Sequence, residues 1–279
     1  MSAPRKAATV LCLRAAPTGG RVEVLLVRRS HRASFMANAY VFPGGRVDEA
    51  DAAAGAERQS RAAAARELRE EVGLACTDLD RFVPFAHWIT PSLEPKRFDT
   101  DFFVLGLQGP AGGAAIDVTV DGTEVFDPLW LPPDEALARY LAGALNLPPP
   151  TACTLEDLAA ELAPIEGTSG ADPGSSARAL AALLQRLPAR RPLPLLPKLE
   201  MASAPDGASE ISIVLPWDPD FGALPGEGTP QPAIALGGAE VKRRIRRCSL
   251  RLPGADASYA VRATGDTTTL RWLVERMDA

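Results

Sequence analysis

Apolar positions along this chain follow two periods. Residues 8–14, A-T-V-L-C-L-R, run almost continuously apolar, and residues 21–28, R-V-E-V-L-L-V-R, alternate before closing on three aliphatic residues. The turn residues Pro17-Thr18-Gly19-Gly20 separate them, so the pattern predicts two strands joined as a β-hairpin. Ala39-Tyr40-Val41-Phe42 predicts a short strand entering Pro43-Gly44-Gly45. Residues 82–89 and 98–107 predict longer strands, with 118–120 and 126–131 as shorter candidates. Between 57 and 72 the period changes to that of an Ala-rich helix with a charged face, and Gly73 is its natural stop. Asp134 is placed to cap a helix carrying Leu137, Tyr140 and Leu141, and Thr154 to cap another over 155–162.

The second half is less regular. Residues 167–177 read as a loop, followed by a short helix over 177–187 and the proline-studded R-P-L-P-L-L-P. Strand patterns recur at 210–215, 241–252 and 258–263, and a last helix is expected over 267–277. The pattern thus divides a mixed α/β unit at 1–135 from an extension at 136–279.

Composition narrows the classes. The 279 residues are 46% hydrophobic and 23% charged, as in an ordinary globular protein. A net charge of −5 argues against a general nucleic-acid binder. The locally basic run at 241–247 reads as an edge strand kept from aggregating, or else as a face that approaches an anionic nucleotide or an RNA end. Cys12, Cys76, Cys153 and Cys248 are far apart and form no C-x-x-C pair, which suits a reducing, cytoplasmic setting better than a disulfide framework or a zinc site. No apolar run approaches the length of a membrane span, and no membrane partner is expected.

The chemistry is concentrated in residues 65–74, A-R-E-L-R-E-E-V-G-L. On a helix, Glu67, Glu70 and Glu71 fall inside an arc of roughly 100°, clear of the stripe made by Ala65, Leu68 and Val72. Like charges at these spacings cost a few tenths of a kcal/mol each. A solvated helix face is one reading. A hard divalent cation is the other, because it turns the repulsion into attraction, and carboxylate oxygens suit Mg²⁺.

Residues 66–74 read R-E-U-x-E-E-x-G-U, with U aliphatic, and Val41-Phe42-Pro43-Gly44-Gly45 precedes them. This pairing resembles the Nudix box of nucleoside-diphosphate-X hydrolases. The spacing departs in one place: seven extra residues separate the glycines from the helix, so the first glutamate of the box has only Asp51 or Glu57 as stand-ins. The resemblance implies an α/β fold, a Nudix α/β/α sandwich with a mixed sheet, over 1–135. The α+β extension of 136–279, helices then short strands, would pack on that core. It also implies that Glu67, Glu70, Glu71 and the Gly44 carbonyl hold Mg²⁺ or Mn²⁺, that Arg66 orients the ridge, and that Glu70 and Glu67 serve catalysis. Glu124, in T-E-V-F-D-P-L-W, is a candidate base or extra ligand.

Further stretches resemble the branch of peroxisomal coenzyme A diphosphatases: Leu25-Leu26-Val27-Arg28-Arg29-Ser30, His87-Trp88-Ile89-Thr90-Pro91, and the run from Lys96 to Phe103. Leu147-Pro148-Pro149-Pro150-Thr151 and Val214-Leu215-Pro216-Trp217-Asp218 carry the likeness toward the end of the chain. The expected reaction is hydrolysis of coenzyme A or acyl-CoA to adenosine 3′,5′-bisphosphate and phosphopantetheine. Arg28, Arg29 and Arg97 are candidates for phosphate contacts, and Trp88 and Phe35 for stacking. The other readings are the same chemistry on ADP-ribose, NADH, a dinucleotide or a nucleotide sugar, and a nucleotide-sensing module without catalysis. The resemblance also allows a homodimer, though no seam in the sequence shows one.

Overall fold

In the computed structural model, strand β1 (Arg5–Ala15) occupies the middle of a mixed sheet. The structure describes residues 3–17, 20–33, 36–92, 94, 96–108, 116–167, 174–189, 192–203, 209–224, 227–228, 245–252 and 273–276. Strand β1 turns back as β2 (Val22–Arg29) in the expected antiparallel hairpin and runs parallel to β6 (Phe98–Gly106) on its other side. The sheet order is β3 (Tyr40–Val41), β2, β1, β6, β5 (Val83–Ile89) and β8 (Pro194–Leu195). Strand β4 (Gly44–Arg46) also pairs with β1, and β7 (Val125–Leu131) with β2. The length of β1 makes this sharing possible, since residues 7–9 pair with β4 while residues 13–15 pair with β2.

Side chains alternate across a strand, and the alternation here separates two cores. Val10 and Cys12 of β1, Leu25 and Val27 of β2, and Phe103 and Leu105 of β6 meet Ala64, Leu68 and Val72 of helix α1 (Gln59–Val72). Leu11, Leu13, Leu26, Phe102 and Val104 point the other way. They meet helices α2 (Pro133–Leu141), α3 (Pro149–Glu166) and α4 (Ser175–Arg186). The product is an α/β/α sandwich with a mixed sheet. The second core runs past residue 135 without a break, because Leu155, Leu158 and Leu183 are fully buried in it. A second, antiparallel sheet follows in the order β12 (Leu273–Arg276), β11 (Ile245–Leu252), β10 (Ser209–Val214), β9 (Lys198–Ser203). Ile213 on β10 and Leu215 just past it join the core of the sandwich.

Several elements differ from the sequence pattern. Residues 118–120 form no strand. Their backbone is spent on the end of α1 instead, with Thr119 N–H donating to Val72 O and Asp121 N–H to Glu71 O. Asp134 is not a cap; it sits in the first turn of α2, whose N-cap is Pro132, and pairs with Arg21. Thr154 caps nothing either. Helix α3 starts five residues earlier, on Pro149, where a missing N–H costs no bond, and Thr154 is buried within it. Of the last expected helix, residues 273–276 are strand β12 and the others lie outside the described residues, as do the strand expected at 258–263 and residues 241–244 of the basic run. Of the loop expected at 167–177, residues 175–177 open α4 and 168–173 lie outside the described residues. The extra residues of the box become a 3₁₀ helix, Glu49–Ala54.

Leu158→Ala tests whether α3 belongs to the cooperative core. Removing this fully buried side chain is expected to cost about 2–5 kcal/mol, read as a lower urea midpoint with an unchanged slope.

Candidate active site

Two glycines set the geometry. A Cβ on Gly44 would lie 2.3 Å from the Ala8 carbonyl oxygen, and one on Gly45 would lie 2.2 Å from Glu67 Oε1. Only glycine at position 44 lets β4 lie this close to the backbone of β1, while Gly45 leaves room for the Glu67 carboxylate beside it. The loop is then stitched in place. Val10 N–H donates to Pro43 O at 2.8 Å, and Gly44 N–H donates to Glu71 Oε2 at 2.8 Å.

Helix α1 presents the ridge. Leu68 and Val72 are buried against the sheet, as the helical spacing predicts. Gly73, at φ 71°, ends the helix and returns its N–H to Arg69 O. Beyond it, the Asp121 carboxylate accepts from Glu124 N–H and Val125 N–H, both at 2.9 Å, and from the Thr123 hydroxyl. Burial raises the Asp121 pKa, but these donors outweigh it and hold the carboxyl below the usual range. This turn carries Glu124 into the same cavity as the ridge.

Arg66 holds the acidic side chains apart and in register. Its Nη2 donates to Asp51 Oδ2 at 3.0 Å and to Arg46 O at 2.8 Å, and its Nε to Asp51 Oδ1 at 3.3 Å. Its Nη1 donates to Glu67 Oε1 at 2.9 Å and Glu70 Oε2 at 3.2 Å. The Asp51 hydrogen bond, first among several, raises the Arg66 pKa. Asp51 is 5% exposed and also accepts from Asp48 N–H at 2.8 Å. Of the two stand-ins for the first glutamate, the structure brings Asp51 to the box arginine and leaves Glu57 exposed.

The cost of this crowding falls on Glu71. Burial, chiefly, pushes its pKa up to about 8; Gly44 N–H and the Arg29 charge oppose the rise, while Glu67 and Glu124 add to it. Glu67 is raised for the same reasons, by burial first and by Glu70 and Glu124 after it, with Arg66 in opposition. Glu67 and Glu71 thus feel the charges of the acidic groups beside them.

They line one cavity of about 540 Å³. The structure gathers Arg66, Glu67, Glu70, Glu71, Gly44, Glu124, Arg29 and Trp88 there. Arg28 is not on its wall. That guanidinium is spent on Asp127 at 2.6 Å and Asn38 at 3.2 Å, so its expected phosphate contact is not formed by this geometry. Arg97 is not on the wall either; its Nε donates to Thr90 O at 3.1 Å. Phe35 lies outside the described residues. His87 is engaged by Asp99, with Nε2 2.5 Å from Asp99 Oδ1. Sequence reasoning missed Asp48, Glu94, Lys96 and Ile213 on the wall. Lys96 stands next to the chosen Arg97, just ahead of β6, and it is Lys96 that lines the cavity.

The donors fit a hard divalent cation in type, being carboxylate oxygens with one member buried. Among the described residues no three are drawn to a single point. The reason is visible, because Arg66 engages Glu67 and Glu70 while the Gly44 amide engages Glu71.

The NUDIX domain family matches residues 4–149 of this chain. The chain belongs to the Nudix family. Nudix proteins bind small nucleotide substrates and generally use divalent metals. Nudix hydrolase 7 of Caenorhabditis elegans is 31% identical over 161 residues, which is 46% of this chain and 52% of that protein. The chain therefore spans about half the length of this relative. Among solved structures, a NUDIX hydrolase from Alicyclobacillus acidocaldarius is 25% identical with a TM-score of 0.49, covering 62% of this chain and all of that one. An Ap4A hydrolase from C. elegans is 20% identical with a TM-score of 0.41, covering 57% of this chain and 98% of that one. In this Nudix chain the box glutamates and the Gly44-Gly45 loop have come together from 22 or more positions apart, through β4 pairing with β1.

Native Glu71 keeps its proton to about pH 8, well above the ordinary 4.5. The folded state then binds more protons than the unfolded chain in that window, so stability falls as pH rises through it. In metal-free buffer the melting temperature is expected to drop between pH 5 and 8. Glu71→Gln should flatten that drop, and added Mg²⁺ should oppose it in the wild type only; differential scanning fluorimetry reads all three.

Proposed function

We propose that this Nudix protein is a metal-dependent pyrophosphohydrolase of coenzyme A or its thioesters. One observation carries the reading: the acidic ridge of α1, the cations Arg29 and Lys96, and an apolar wall that includes Trp88 and Phe102 share one cavity of about 540 Å³. Coenzyme A asks for all three, since it has a pyrophosphate, a 3′-phosphate and a long arm.

In this reading Glu67, Glu70, Glu71 and the Gly44 carbonyl hold Mg²⁺ or Mn²⁺. When bound, such ions neutralise phosphate charge and acidify water. The chain's own residues do the rest. Arg66 fixes the angle of Glu67 and Glu70 through one nitrogen. Gly44 N–H holds Glu71, so that carboxylate meets the cavity in one orientation. Glu124, placed by the Asp121 turn, is the base or a further ligand. Arg29 and Lys96 receive phosphate oxygens. The products are adenosine 3′,5′-bisphosphate and phosphopantetheine or its acyl form. A reducing, cytoplasmic setting and an extension that belongs functionally to the Nudix unit complete the proposal.

The test is product analysis by mass spectrometry with Mg²⁺ or Mn²⁺ and a panel of coenzyme A, acetyl-CoA, ADP-ribose, NADH, a diadenosine polyphosphate and UDP-glucose. Release of adenosine 3′,5′-bisphosphate from the coenzyme A samples is expected. Cleavage of ADP-ribose or NADH instead would discard the substrate and keep the chemistry, and no turnover at all would favour the sensing module. Glu70 is half exposed and on the helix surface, so Glu70→Gln should fold normally and slow turnover about 10²–10⁴-fold. Turnover of that variant at the wild-type rate would remove the ridge from the mechanism.

A further inference from the structure

Among the described residues, three other than glycine hold a left-handed backbone: Met36 (φ 52°), Asn38 (φ 58°) and Asp127 (φ 45°). Two of them meet on one side chain. Arg28 Nη1 donates to Asn38 Oδ1 at 3.2 Å and Arg28 Nε to Asp127 Oδ2 at 2.7 Å, with Nη2 2.6 Å from the same oxygen. Asn and Asp visit this region more readily than other side chains. Asp127, however, does so just ahead of Pro128, whose ring favours an extended residue before it. Such a backbone persists where its surroundings over-determine it. The fork of Arg28 is the contact that both segments share.

The bend at Asp127 is a bulge, and the bulge shapes the site. Leu26 of β2 lies opposite Leu129 of β7, but Arg28 lies opposite Phe126, so β7 advances three residues where β2 advances two. The extra residue reverses the alternation of side chains. Leu129 and Leu131 pack into the core under α2, α3 and α4, and a regular strand would send Val125 there too. Val125 is instead buried in the core under α1. Arg29 then lies opposite Val125, and Ser30 N–H donates to Glu124 O at 2.8 Å. In this register the chain enters β7 beside the end of α1, and Glu124 stands in the cavity with Glu67, Glu70 and Glu71. Slipped by one residue, the strand would turn Val125 out of its core and take Glu124 off Ser30.

Exposure separates this role from a structural one. The Arg28 and Asp127 side chains are 32% and 60% exposed, and ion pairs that open to water add little stability. We infer that Arg28 is a positioning residue: by holding Asp127 in the bulge, with Asn38 beside it, Arg28 sets the register that brings Glu124 to the acidic ridge. The inference rests on the reading of Glu124 as a base or further ligand, and not on which pyrophosphate is cleaved.

The experiment pairs steady-state kinetics with thermal melts of the full chain in Mg²⁺, on whichever member of the substrate panel the wild type cleaves fastest. The variants are Arg28→Ala, Asp127→Ala, Asp127→Asn, Glu124→Gln and the double variant Arg28→Ala/Glu124→Gln. Glu124→Gln should slow turnover. Arg28→Ala and Asp127→Ala are each expected to lower kcat about tenfold or more, with KM and the melting temperature little changed. Asp127→Asn keeps an acceptor and tolerates the left-handed backbone, so it should turn over near the wild-type rate. The double variant should be no slower than Glu124→Gln, because a group that acts only through Glu124 then has nothing left to position. A slow Glu124→Gln beside a fast Arg28→Ala overturns the inference alone. So does a double variant that shows the full product of both losses, or a collapse of the melting temperature in both alanine variants. A wild-type rate in Glu124→Gln, or a wild type that cleaves no member of the panel, overturns the reading of Glu124 and this inference with it.

Discussion

The structure depends on keeping like charges close without a fixed positive partner for each. Glu67, Glu70, Glu71 and Glu124 line one cavity, and a single guanidinium, Arg66, engages two of them together with Asp51. A protein built only for stability would spread these charges, since repulsion and burial both raise the energy of an ionised carboxylate. Glu71 shows the result in its pKa of about 8. Sites that keep such tension are where function is concentrated.

That constraint explains features far from the glutamates. Gly44 lets β4 approach the Ala8 carbonyl, and Gly45 leaves room for the Glu67 carboxylate. Segment 118–121 abandons a strand ladder to close the end of α1, and the same segment turns Glu124 toward the ridge. The lengthened box is absorbed by a 3₁₀ helix that carries Asp51 back to Arg66. Asp51 is one methylene shorter in reach than a glutamate, and the 3₁₀ turn that carries it brings both carboxylate oxygens to Arg66.

The remaining layers serve the same end by rigidity. Helices α2, α3 and α4 cover the opposite face of the sheet, and Trp88 and Phe102 are held there at the edge of the cavity. Arg21 ties the β1–β2 hairpin to Asp134 of α2 and Glu166 of α3, fixing those helices to the sheet. The extension then reaches the cavity through β8, so its strands are part of the wall rather than a separate appendage.

The sequence by itself determined what is local. The hairpin, α1 with its Gly73 stop, and the separation of the glutamate arc from the Leu68–Val72 stripe follow from periods of two and 3.6, which are properties of neighbouring residues. Ridge and glycine loop were legible as one motif for the same reason. Tertiary structure decided what depends on distant partners. Whether Asp51 or Glu57 reaches Arg66, whether Arg28 is available or spent on Asp127, and whether Lys96 or Arg97 faces the cavity are set by contacts between segments distant in the chain. The start of α3 was missed because helix propensity within 155–162 is stronger than the signal of two prolines at a first turn. Ile213 could not be read as a wall residue at all: nothing in E-I-S-I-V-L says that β8 will dock beside Trp88 and bring β10 to the cavity, since that contact is formed by pairing across more than a hundred residues.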